Sequence, residues 1–157
     1  MMLRTTLAIA VLGLAAAGAV SAAPRAAAPQ TLSLVSVQKR FTTVPKISMA
    51  SPPRIGDRMI FNDVLYNRVA QFGKPAGARI GTADNLCTIV STSALQCTLV
   101  AHVPAGALVA TGSVNGNAHV TNFAITGGVG SYAGARGSAS GRDLGPTKTV
   151  VVIRLDS

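Results

Sequence analysis

From residue 31 to residue 155 no window carries apolar residues at i, i+3, i+4 and i+7 among helix-forming neighbours, so amphipathic helices are not available to this chain. Val, Ile and Thr recur instead, and Gly or Pro interrupts them at short intervals. Eight runs read as strands: residues 31–43, 58–68, 76–90 (bent at Gly77 and Gly81), 94–103, 107–114, 119–126, 132–142 and 148–155. A Pro-containing loop, 44–56, follows the first. Pro104-Ala105-Gly106, Asn115-Gly116-Asn117 and Asp143-Leu144-Gly145-Pro146 read as turns. Strands at this spacing predict an all-β domain, an antiparallel barrel or a sandwich. Closure into a barrel would remove the exposed strand edges.

The first 22 residues read as an export signal. Residues 1–4 are a short basic region, 7–20 are apolar and Ala-rich, and Val20-Ser21-Ala22 offers small residues at a cleavage site. The apolar run is shorter than the roughly 20 residues a spanning helix needs, although an uncleaved anchor is the alternative. Residues 23–55 then hold a Pro- and Ala-rich lead-in and the first strand. Residues 56–157 complete a single domain, with the barrel over about 31–156. A chain of 157 residues has room for one such domain.

Charge excludes more than it assigns. Lys and Arg number 14 against 5 Asp and no Glu, for a net charge of +9. The cations are scattered, and no run of five like charges appears. Aromatics are 4% and Trp is absent, which argues against a nucleic-acid arm with stacking platforms. A solvated basic surface is the simpler reading, with weak attraction to polyanions as the other.

Cys87 and Cys97 lie either side of Ser91-Thr92-Ser93. A hairpin centred on Thr92 sets them opposite each other, where a disulfide fits. Outside the cytosol it would persist and contribute roughly 2–3 kcal/mol. Zinc is a poor rival, because neither His102 nor His119 stands at a recognised ligand spacing to either cysteine. A reactive thiol would need one cysteine unpaired.

On the run 58–68, period-two alternation groups Met59, Phe61, Asp63 and Leu65 on one face, with Asn62 on the other. If the first face lines a barrel, Asp63 projects into an apolar cavity, where desolvation raises its pKa and suits it to proton transfer. Otherwise Asp63 pairs with an Arg or caps a backbone N–H.

Residues 125–137 read ITGGVGSYAGARG, with five glycines in thirteen positions. Gly128 to Ala133 formally fits G-x-G-x-x-G/A, but the glycines that follow are poor helix text, so a dinucleotide site is not supported. A tight β-turn needing positive φ fits better, with Gly127, Gly128, Gly130 and Gly137 as its structural residues. There is no G-x-S-x-G for covalent hydrolysis.

The glycine block resembles the ITGGTGxYxGARG turn of the allene oxide cyclase and dirigent protein superfamily, with Val129 where Thr is common. The stretch G-D-R-M-I-F-N-D-V-L-Y over 56–66 resembles that superfamily's first barrel strand, and the cysteine pair suits its bacterial members. The resemblance implies an eight-stranded antiparallel barrel, lipocalin-like in shape, with a central apolar cavity, assembled as a trimer. It implies a secreted, cofactor-independent cyclase or isomerase that steers ring closure or coupling of a reactive apolar or phenolic molecule. The alternative is a secreted barrel that only binds an apolar ligand or serves an envelope or stress role. By position, Asp63 matches the first-strand acid and Arg136 the Arg of A-R-G, the two catalytic candidates; the alternative for Arg136 is a structural role, its guanidinium satisfying turn carbonyls. Met59, Phe61, Leu65, Tyr132 and Asn62 are candidates for the cavity or its rim. No metal ligand is implied. The second acid that cyclising dirigent proteins carry on the strand before the glycine turn is missing from residues 119–126.

Overall fold

Leu32, Leu34 and Ser36 are buried while Ser33, Val35 and Val37 are half-buried, and this alternation sets up the two faces of a curved sheet. The computed structural model describes residues 31–46, 52–115 and 118–156. The architecture is eight strands: β1 (Thr31–Val44), β2 (Arg58–Asn67), β3 (Arg79–Ile89), β4 (Ala94–Val103), β5 (Gly106–Asn115), β6 (Val120–Gly130), β7 (Gly137–Gly145) and β8 (Lys148–Leu155). Each strand pairs antiparallel with the next, and β1 closes on β8 through partners such as Leu34 and Val151. The expected all-β, eight-stranded antiparallel barrel is therefore the fold. The export signal of 1–22 lies outside the described residues.

The up-and-down order gives the barrel two unlike ends. At one end, where β1 begins and β8 finishes, Leu32, Leu65, Ile80, Leu108, Tyr132 and Ile153 pack into a buried cluster. At the other end the interior is open. Asn67, 2% exposed, secures the packed end: its side-chain amide donates to the carbonyls of Gln71 at 2.9 Å and Lys74 at 3.0 Å, holding the loop between β2 and β3.

Boundaries near glycine differ from expectation. The run 132–142 does not start as a strand. β6 continues through the glycine block to Gly130, residues 131–134 form turns, and β7 starts at Gly137. Gly130 adopts φ 70°, which an L-residue avoids, and this lets the chain leave β6. A Cβ on Gly128 would stand 2.6 Å from the carbonyl oxygen of Ala107 and 2.8 Å from Cβ of Tyr132. The close approach is what seats Tyr132 under the barrel. Gly127, by contrast, has open space around a would-be Cβ, so packing does not demand glycine there. Likewise Gly77 lies in a turn before β3, which starts at Arg79 rather than residue 76.

Cys87 and Cys97 are directly opposed partners on β3 and β4 and form a disulfide. Both are buried, at 8% and 2% exposure.

Candidate functional site

The inward faces of the strands enclose a cavity of about 530 Å³. Met59, Phe61, Asp63 and Leu65 of β2 all line it, as their alternation predicts. Leu95, Leu99, Phe123 and Val151 supply more of a largely apolar wall, and the Cys87–Cys97 disulfide belongs to that wall as well. Phe61 is supported from beside it by Phe41, its directly opposed partner on β1, with ring centroids 5.0 Å apart.

Asp63 is one of two acids in this lining, with Asp143. Its Oδ2 accepts a 2.7 Å hydrogen bond from the Ser36 hydroxyl and a 3.1 Å bond from the Asn85 side-chain amide. Its Oδ1 is buried without a hydrogen-bond partner. Burial pushes the carboxyl above its usual pKa, and the two donated bonds pull against that shift. One oxygen thus accepts two hydrogen bonds, and the other is buried and unpartnered.

A second acid stands across β1. Ser36 is the direct partner of Thr149 on β8, and Thr149 is the partner of Asp143 on β7. The Thr149 hydroxyl donates to Oδ1 of Asp143 at 3.1 Å. Two hydroxyls on adjacent strands therefore stand between two carboxylates. Asp63, Ser36, Gln38, Thr149 and Asp143 also border a smaller polar recess of about 180 Å³ beside the β7–β8 turn. Asp143 is exposed at the open end, whereas Asp63 is half-buried.

Sequence reasoning missed Asp143 because it read residues 143–146 as a turn. The strand runs on to Gly145, with a bulge between Asp143 and Gly145. The usable signal was the alternation Ala139, Gly141, Asp143, whose members all line the cavity. Ser36 and Asn85 were missed for a similar reason: small polar residues on an inward face carry no motif.

Two other candidates lie elsewhere. Arg136 is exposed at the packed end, where its guanidinium donates to the carbonyls of Thr126 at 2.7 Å and Ala135 at 2.9 Å. It does not line the cavity, and its guanidinium bonds carbonyls of the glycine turn. Asn62 points outward and donates to Asp84 at 2.7 Å on the barrel exterior, which corrects its assignment to the cavity or rim. Tyr132 is 2% exposed in the packed cluster rather than at the rim, and its hydroxyl has no hydrogen-bond partner. Among the described residues no group of three or more His, Cys, Asp or Glu is placed to hold a metal ion, and no helix is long and apolar enough to cross a membrane.

No protein-family profile and no curated protein matches the sequence. Solved structures do match in fold. A pyocyanin demethylase superposes with a TM-score of 0.65 at 22% identity, over 80% of this chain and 99% of that one. AbnU, an exo-specific intermolecular Diels-Alderase, gives 0.61 at 17% identity, over 81% of this chain and 98% of that one. The pterocarpan synthase dirigent protein GePTS1 gives 0.57 at 15% identity, over 80% of this chain and 81% of that one. This chain shares the barrel fold of dirigent proteins and of Diels-Alderase barrels.

Proposed function

We propose that this barrel binds a reactive, largely apolar small molecule and steers its cyclisation or its stereochemistry, with Asp63 transferring or holding a proton. The observation that carries this reading is the Asp63 carboxyl, tethered through Oδ2 and unpartnered at Oδ1, in the wall of a cavity of about 530 Å³. A closed apolar wall limits the conformations of a bound molecule, which is how much of a cyclisation barrier is met. A carboxyl with a raised pKa exchanges a proton near neutral pH more readily than an ordinary one. The fold shared with Diels-Alderase and dirigent barrels supports the same role.

The position of Arg136 outside the cavity favours a second reading, a barrel that binds an apolar ligand without turning it over. Native mass spectrometry of the protein as isolated, followed by product analysis of the molecule it carries, separates the two. Turnover lost in Asp63→Asn supports the cyclase; binding with no turnover in either protein supports the carrier. The disulfide and the export-type N-terminus support an extracytosolic location, and a homotrimer is the assembly we expect in solution.

A further inference from the structure

The charge of the cavity is opposite to the charge of the protein. The chain carries a net +9, yet every Lys and Arg among the described residues is exposed and none lines the cavity. Neither histidine lines it. The charged groups in the lining are Asp63 and Asp143, both on the side where the polar recess opens. A carboxylate brought into this cavity would meet like charge across a poorly screened interior and find no cation to pair with. A donor would find the carboxyl of Asp63 and, beyond Ser36 and Thr149, that of Asp143, the two acids that line both the chamber and the recess. The polar recess is large enough for a small head group next to the apolar chamber.

We propose that the cavity takes a ligand with an apolar body and a protonated amine or other donor-bearing head directed at Asp63 and Asp143, and that it rejects carboxylates. This rests on the reading of the cavity as an apolar-ligand site and adds the chemistry of the ligand's polar end. It also distinguishes cavity binding from surface binding. The basic exterior attracts anions, so its net charge works against a preference for cations there.

The test uses decylamine, decanol and decanoate below their micelle concentrations, each displacing a fluorescent apolar probe from the full chain at low and high salt. Decylamine is expected to bind about ten-fold or more tighter than decanoate, as one charge-assisted hydrogen bond provides, with decanol between them. The preference is expected to persist at high salt, and to shrink to within about three-fold in the variant combining Asp63→Asn and Asp143→Asn. Asp143→Asn alone changes an exposed residue at the open end, so a partial loss of preference there keeps the test readable if the double variant folds poorly. Decanoate binding as tightly as decylamine, or a preference unchanged in the variants, overturns the inference alone. Failure of all three probes, decanol included, overturns the apolar-ligand reading and this inference with it.

Discussion

Ser36 donates a 2.7 Å hydrogen bond to Oδ2 of Asp63, and that bond holds the carboxyl in place in the cavity lining. A bond to the charged form favours it, so Ser36 holds down a pKa that burial raises. Ser36→Ala is therefore expected to move the Asp63 pKa further up. Titration of the Asp63 carboxyl carbon by NMR in both proteins checks this. A pKa that stays put or falls would remove Ser36 from the account.

Asp63→Asn gives a pH-dependent stability difference whose sign follows from the same shift. The folded-state pKa lies above the unfolded one, so the folded wild type holds its proton more tightly. Its burial cost is present at high pH and disappears as pH falls through the folded and then the unfolded value. Wild type is expected to gain stability relative to Asp63→Asn as pH falls through the raised folded-state value toward the unfolded value of about 4, read by urea denaturation. A difference independent of pH would contradict the shift.

Arg136→Ala is expected to destabilise the barrel by about 1–2 kcal/mol, because two turn carbonyls lose their donor. Affinity for apolar probes is expected to stay within about two-fold, since the side chain lies at the packed end. Denaturation paired with probe titration measures both. A large loss of affinity in a stable variant would return Arg136 to the cavity chemistry.

Tyr132→Phe removes a buried hydroxyl that has no partner. The variant is expected to be neutral or more stable by up to about 1 kcal/mol. A thermal or urea midpoint suffices to decide. Clear destabilisation would mean the hydroxyl has a bonding role.

Replacing Cys87 and Cys97 together by Ala removes a cross-link and also part of the cavity wall. A stability loss of roughly 2–4 kcal/mol is expected, with weaker probe binding. Unchanged affinity would show that the sulfurs do not touch the ligand.

Much of this molecule was legible in its residues. Alternation along β2 placed Met59, Phe61, Asp63 and Leu65 on the inward face, and the ten-residue separation of the cysteines placed them opposite each other. Arg136 and Tyr132 were harder. Both sit where the expected strand 132–142 is in fact a turn, and period-two counting assigns no face to a turn. Asp143 was hidden for the opposite reason: a bulge lets β7 continue into residues whose composition signals a turn. The pairing of Ser36 with Thr149 depends on how β1 closes against β8, a contact between the two ends of the chain that local pattern does not encode.

The central claim is that Asp63 acts on the molecule the cavity holds. Its most direct test is the enantiomeric ratio of product formed from the co-purified ligand, compared between wild type and Asp63→Asn at equal occupancy. One enantiomer is expected to dominate with wild type, and the ratio is expected to fall toward even, or product to vanish, in the variant. The same ratio and the same rate from both proteins would contradict the claim.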